Sequence, residues 1–531
     1  MSSQCSEPKS AQEQTVAVET GSEWRMLSYI AIVYFSIKNI FKTAQTLIYA
    51  IPALAITANV TDMLESPLAY LVFFGAITFL SVSGLASFLM YRFRIHNEHV
   101  EVRSGVFQRA HINLPFWRIQ NVKIEHPFYY RPFGYSVVVL DTAGSAKEEA
   151  NIVAVTTEYA EALKSQILSH QKPETSHNAN SEPVDLEKTD TTHVNTLDET
   201  VINRRSIGDI VIHGFTNNRV WILLGAAAPF YDTLVEQVGG WLTSKGLQLD
   251  QLVGEQTIAW WQFGLYAFAI VMMLMAVLAL LSVGGALFTF YGYTLSKTAD
   301  RYIRRSGLLN KQEVSMRATR IQVVSAKQDW LDKILKRVNL YFEQNASLDH
   351  GAPELMSSNR LIVPSVTVEE TAVLAQDVLP NCNLYRDDYK SINRRYIWHC
   401  FLVGLLAPFA IAMTIGIVGQ HWDVIVGAVA ISGAIAGIIV LRWWRWGIAE
   451  DEDYIYVRSG RVGLDYKCFQ RFKVQQVVIK QSWFMKRRGL ASVKFVMASG
   501  AITVPFLPED YVWTLINSTA YSVESTRRSW M

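Results

Sequence analysis

The chain has 531 residues, of which 50% are hydrophobic and only 18% charged, and its formal net charge is +2. That composition is too apolar for an ordinary soluble protein of this length and too nearly neutral to imply a nucleic-acid partner. Four cysteines, Cys5, Cys382, Cys400 and Cys468, stand far apart without a Cys-x-x-Cys spacing, so no metal centre or disulfide framework is expected.

Residues 1–22 are polar and lack an apolar core behind a basic start, the pattern of a disordered cytosolic tail rather than a secretory signal. Residues 26–42 are apolar but interrupted by Lys38 and Lys42, which predicts a helix lying along the membrane interface. Apolar runs then come in pairs, at 40–60 and 68–91, at 220–240 and 256–296, and at 396–418 and 424–441. Each is about the length that crosses a bilayer, so the expectation is six transmembrane helices in three hairpins. Asp232 and Glu236 fall in the second half of the third run, which predicts that this span ends early, near Asp232.

Charge asymmetry sets the expected orientation. The three hairpin turns, 61–67, 241–259 and 419–423, hold a single basic residue, Lys245, whereas the opposite ends carry Arg25, Arg92, Arg94, Arg204, Arg205, Lys297, Arg394, Arg442 and Arg445 among others. By the positive-inside rule both termini and the polar segments between hairpins are cytoplasmic.

After each hairpin the tripeptide Arg-Ser-Gly recurs, ending at Gly105, Gly307 and Gly460. Counted from these glycines, position +13 is basic (Arg118, Arg320, Lys473), +15 is Gln (Gln120, Gln322, Gln475) and +17 is Val (Val122, Val324, Val477). An aromatic follows at +23 (Phe128, Trp330, Trp483) and a basic residue at +26 (Arg131, Lys333, Lys486). Such agreement without a gap is an internal triplication. In the first copy, β-branched and aromatic segments at 95–102, 107–113, 119–125, 135–141 and 152–155 alternate with turn signals, and the tripeptide glycine sits in a turn that wants a positive φ. A helix closes each copy, at 157–170 behind Thr156, at 368–378 behind Thr367 and at 509–523 behind Pro508. The fold class expected is an α+β membrane protein, each hairpin followed by a small antiparallel β-barrel or sandwich with a C-terminal helix.

The hairpin, the Arg-Ser-Gly turn, the basic-Ile-Gln-x-Val strand, the aromatic and the basic cluster ahead of Gly489 resemble the bacterial pleckstrin-homology-like (PH-like) domain family, bPH2, formerly a domain of unknown function. The resemblance implies PH-like modules at 92–170, 297–380 and 443–531. Between them lie hairpins within 23–91, 206–296 and 381–442 and a disordered linker at 171–205. It further implies a bacterial inner (plasma) membrane address and a smaller companion carrying a single such domain, and it supplies no established reaction. The second copy departs from the pattern: Lys336 replaces the glycine found at +29 as Gly134 and Gly489, and the stretch from Glu343 to Asn359 does not align with the other copies, which together predict a distorted fold there.

Arg118, Arg131, Arg320, Lys333, Lys473, Lys486, Arg487 and Arg488 are the residues expected to meet anionic lipid headgroups or an acidic partner, against the plainer reading of a solvated strand face. Trp443, Trp444 and Trp446 beside Arg442 and Arg445 make an interfacial anchor. No phosphate loop, nucleophile elbow, zinc helix or dinucleotide fingerprint occurs, and His96, His99 and His111 are read as ordinary strand and turn residues, so neither catalytic residues nor cofactors are expected. The function expected is a non-enzymatic membrane scaffold, docking protein or lipid headgroups through three modules. The alternative is a lipid or small-molecule transporter whose six spans form the path and whose modules gate it, for which Lys42, Asp232, Glu236 and His399 are the ionisable groups in or near the spans.

Overall fold

The computed structural model describes residues 23–40, 43, 67–105, 109–142, 150–169, 199–216, 260–298, 300–344 and 360–526. They fall in two compact units, one of residues 1–51 and 58–192 and the other of 52–57 and 193–531.

The first unit opens with a two-residue strand, β1 (Arg25–Met26), and a helix, α1 (Ala31–Ile40). The apolar helix α2 (Pro67–Met90) then delivers the chain to β2 (Arg92–His96), β3 (His99–Ser104) and β4 (Ala110–Pro115). These four strands form one antiparallel sheet in the order β1-β2-β3-β4. Asn97 and Glu98 both have positive φ, 48° and 60°, the geometry of a two-residue hairpin turn, and they divide the single strand expected over 95–102 into β2 and β3. The strands β5 (Ile119–Pro127), β6 (Tyr135–Thr142) and β7 (Ala150–Thr156) run antiparallel behind it, and α3 (Thr157–Ser169) closes the module. Val100, Ile119, Val138, Leu140, Ile152 and Leu163 are completely buried in the core between them.

Because β1 pairs with β2, the module begins before its apolar helices α1 and α2. Of residues 26–42, expected as an interfacial helix, Met26 lies in β1 and Ala31–Ile40 form α1. α1 packs on α2, where a Cβ at Gly84 would stand 2.7 Å from Ser36 Oγ, and Asn39 Nδ2 donates to Ser83 Oγ at 3.3 Å. The glycine is what lets the two helices touch.

The second unit repeats the plan twice. β8 (Thr200–Arg204) is the edge strand, α4 (Ile207–Thr216) leads away, and α5 (Trp260–Phe290) returns to β9 (Thr294–Thr298), β10 (Arg301–Ser306) and β11 (Asn310–Arg317). Residues 200–204, expected as the end of a disordered linker, pair instead with β9. Gly214 of α4 meets α5 so closely that a Cβ would lie 2.6 Å from Val283 Cα, and Ser282 Oγ donates to the Gly214 carbonyl at 2.6 Å. Then come β12 (Val323–Gln328), the short helix α6 (Trp330–Ile334), β13 (Arg337–Glu343), β14 (Arg360–Thr367) and α7 (Val368–Val378). A capping box between Thr367 and Glu370 starts α7 where the sequence places it.

The third copy uses β15 (Lys390–Ser391), the apolar pair α8 (Arg395–Val418) and α9 (Trp422–Arg445), then β16 (Gly447–Glu450), β17 (Tyr454–Ser459) and β18 (Leu464–Gln470). β19 (Gln476–Lys480), α10 (Trp483–Lys486), β20 (Leu490–Met497), β21 (Gly500–Pro508) and α11 (Glu509–Ser525) complete it.

Three described helices are long and apolar enough to cross a membrane: Met272–Phe290 within α5, α8, and Val424–Arg445 within α9. α8 and α9 form one hairpin across the turn at 419–421. The spans expected at 40–60 and 220–240, with Asp232 and Glu236, lie outside the described residues apart from Ile40 and Thr43, as do 1–22 and 170–198.

The second copy is not distorted at its missing glycine. Lys336 takes the left-handed conformation, φ 53°, that Gly134 (68°) and Gly489 (60°) hold in the other copies. The tripeptide glycine is indispensable by contrast: at Gly307, φ 119°, a Cβ would sit 2.0 Å from the Asn310 carbonyl oxygen.

Copies two and three are fused through their sheets. β12 pairs antiparallel with β18 in six residue pairs, from Val323 opposite Phe469 to Gln328 opposite Leu464, making a seven-stranded sheet in the order β14-β13-β12-β18-β17-β16-β15. The third copy's own β19, β20 and β21 form a separate three-stranded sheet with β19 at its edge.

Candidate functional site

In every copy the +23 aromatic opens a tight turn between the first two strands of the second strand set. In copy three, Ser482 Oγ accepts the Met485 N–H, which starts α10, and Gly489 ends it in the left-handed conformation. In copy two, Asp329 and Asp332 form a reciprocal capping box at α6, and Asn339 Nδ2 donates to Asp332 at 3.0 Å. In copy one, Tyr130 fills the core beneath the turn. Each turn is thus anchored by one buried residue, Tyr130, Asp332 or Met485, while its other side chains are half-buried, as Tyr129 and Leu331 are, or exposed.

What points outward is apolar and cationic together. Phe128 and Phe133 are exposed in copy one, Trp330, Ile334 and Leu335 in copy two, and Trp483 and Phe484 in copy three, where Phe484 is 75% exposed. Arg131, at the first of these turns, donates from Nε to the His126 carbonyl at 3.3 Å. Lys333, Lys486, Arg487 and Arg488 are exposed, and the Arg487 guanidinium lies 3.7 Å from the centre of the Trp483 ring. A large exposed ring bracketed by cations suits the boundary between headgroup and acyl chain, where the ring is half-desolvated and the cations meet phosphate.

The +13 cations do not join that surface. Arg118 is exposed on a short 3-10 turn, and Arg320 is half-buried, with burial and then the neighbouring Arg317 and Arg301 guanidiniums lowering its pKa to about 10. Lys473, expected at a lipid or partner surface, is buried within the protein. Its Nζ donates to the carbonyl oxygens of Thr319 and Ile321, both at 2.7 Å, and burial lowers its pKa to about 8. It clamps the third module onto the second beside the β12–β18 seam. Along that seam Lys327 stands opposite Asp465, whose carboxyl burial pushes up while Lys327 and Lys467 pull it down. The +15 glutamines follow the same division: Gln322, at the covered strand, is buried, and Gln475, at the uncovered one, is exposed.

The second module is also tied to the apolar helix α4 and the residue just ahead of it. Arg205 grips Glu370 through two hydrogen bonds, 2.9 and 3.0 Å, Arg337 pairs with Asp209 at 3.0 Å, and His213 of α4 shares a 2.7 Å hydrogen bond with Asn339. Sequence reasoning passed over these residues because their partners lie more than 100 positions away. In copy three, Trp443 Nε1 donates to the Ile392 carbonyl at 2.9 Å while Trp444 is exposed, so only part of the tryptophan group is free to anchor in lipid. His399 packs in a tilted pair against Phe506, ring centres 5.2 Å apart, a contact with the third module. His99 and His111 bond Asn113 and Glu101 across strands at 2.7 and 3.1 Å.

Three β-rich modules, each closed by a helix and interrupted after its first strand by apolar helices, define a membrane protein built on a repeated sheet-and-helix domain. The family model described as "Bacterial PH domain" matches residues 15–171, 246–376 and 401–521, and the chain belongs to that family. The first matched region begins ahead of β1, in keeping with a module that starts before its membrane segment. The chain is similar to the UPF0699 transmembrane protein YdbT of Bacillus subtilis (strain 168), 18% identical over 437 residues that cover 81% of this chain and 85% of that protein. No solved structure matches it.

Proposed function

We propose that the protein is a non-enzymatic scaffold of the bacterial inner membrane, with both termini and all three PH-like modules on the cytoplasmic side. The modules dock protein or contact anionic lipid headgroups. The observation that carries this reading is the exposed aromatic turn present at the same place in all three copies, with exposed cations beside it in copies two and three and the half-buried Arg131 in copy one. A turn that merely closed a hairpin would not need two exposed large rings and three successive cations, as at Trp483, Phe484, Lys486, Arg487 and Arg488. Cytoplasmic presentation is supported by the Lys and Arg bias at the module ends of the apolar segments.

The test uses the full chain with Cys5 and Cys400 replaced by serine and a bimane label on Phe484→Cys, reconstituted in proteoliposomes with brominated acyl chains. Quenching in phosphatidylglycerol membranes that drops in phosphatidylcholine supports headgroup contact. Equal absence of quenching in both refutes the lipid arm and leaves protein docking as the modules' role.

A further inference from the structure

The joint between copies two and three has two halves, and the chain carries an unused specimen of each. On one side of the joint are β12 and the carbonyls of Thr319 and Ile321; on the other are β18 and Lys473. The third copy repeats the first half as β19 with the carbonyls of Phe472 and Val474, and β19 is an edge strand. The first copy repeats the second half as β4 with Arg118, and β4 is likewise the edge of its sheet.

Burial records which halves are engaged. β12 is buried at five of its six positions, whereas β19 is buried at none of its five. Lys473 is 4% exposed, while Arg118, at the same repeat position, is exposed. A five-residue strand with Val477, Val478 and Ile479 half-covered at an open edge is a template for another strand, and only Gln476 and Lys480 at its ends blunt it.

We infer that β19 of one molecule takes β4 of a second copy of this chain as its next strand, with Arg118 of that copy donating to the Phe472 and Val474 carbonyls. This inference deepens the scaffold reading and rests on it. Copying the β12–β18 register places Lys480 opposite Ala110, Val478 opposite Ile112 and Gln476 opposite Leu114. The contact is head-to-tail, so it builds closed rings or open rows of the membrane protein rather than a two-fold dimer.

The experiment co-expresses two differently tagged full-length chains, one carrying Ala110→Cys and the other Lys480→Cys, both with Cys5 and Cys400 replaced by serine, and oxidises the membranes mildly. A disulfide joining the two tags is expected for this pair. It is not expected for His111→Cys with Lys480→Cys, because neighbouring residues point to opposite faces of a strand. Arg118→Glu, an exposed substitution that leaves the fold intact, is expected to cut the yield about tenfold, the loss of a charge-assisted hydrogen bond. A yield no higher than that of either single-cysteine chain, in protein that melts normally, overturns the inference. So does capture by Lys480→Cys of a different protein, although that result upholds the scaffold reading. If bimane quenching and cross-linking to any protein are both absent, it is the scaffold reading that fails.

Discussion

Lys473 Nζ lies 2.7 Å from the Ile321 carbonyl oxygen, so a cation of the third module is held by the backbone of the second. Removing it takes the donor from the buried Ile321 carbonyl and the part-buried Thr319 carbonyl, and Lys473→Met is expected to cost about 1–3 kcal/mol. Its pKa, lowered to about 8 by burial, adds a dependence on pH. Between about pH 8 and the ordinary lysine value near 10.4 the unfolded chain binds the extra proton, so stability contributed at this site rises with pH across that window. The apparent melting temperature of the wild type relative to Lys473→Met should therefore climb from about pH 7.5 to about pH 9.5. A flat or falling difference would contradict the burial.

Lys336 and Gly489 make a matched pair of backbone tests. Lys336→Gly relieves a left-handed lysine and is expected to stabilise the chain by about 1 kcal/mol. Gly489→Lys should lose a similar amount, since nothing lies within 4 Å of where its Cβ would stand and only the conformational cost remains. Melting of both variants in detergent checks the signs.

The Arg205–Glu370 pair predicts weakness in acid. Burial raises the Glu370 pKa, but hydrogen bonds from Arg205 and the Thr367 N–H outweigh it and hold the carboxyl below its usual range. The stabilisation is present above about pH 4.3, the unfolded value, and fades as pH falls through the lower folded one. In a double-mutant cycle, Arg205→Ala with Glu370→Ala should show coupling at neutral pH that disappears in acid, read from protection of the α4 and α7 amides against hydrogen exchange.

At the third turn, replacing Lys486, Arg487 and Arg488 with glutamine removes about 3 kcal/mol of headgroup attraction, at about 1 kcal/mol per cation. Quenching of bimane at Phe484→Cys should then no longer differ between phosphatidylglycerol and phosphatidylcholine membranes. An undiminished preference for phosphatidylglycerol would mean that these cations are not what meets the lipid.

Much of this architecture was legible in the sequence because its signals are local. The Arg-Ser-Gly turns, the capping box at Thr367, the apolar runs of α5, α8 and α9, and the strands from 119 onward depend on neighbouring residues. What was hidden is non-local. β1 and β15 are two residues long, too short to show periodicity, so the modules' start ahead of each membrane segment could not be read. The β12–β18 pairing joins residues about 140 positions apart with no sequence mark beyond Lys327 opposite Asp465. Lys473 looks like any surface lysine until the module beneath it is in place, which is why residue type alone grouped it with Lys486. Lys336 shows the converse: its left-handed turn is kept although the glycine that advertises it is gone.

Sidedness is the most exposed claim, and Cys468 cannot probe it, since the thiol is buried in β18 with its pKa raised by that burial and by the adjacent Cys382. The direct measurement places single cysteines at Trp117, Val373 and Tyr521, one exposed residue in each module and none in the lipid-facing turns. A membrane-impermeant maleimide is then applied to intact cells and to inverted membrane vesicles. Presentation of all three modules to the cytoplasm requires labelling at every site in inverted vesicles and at none in intact cells; labelling of even one from outside would contradict it.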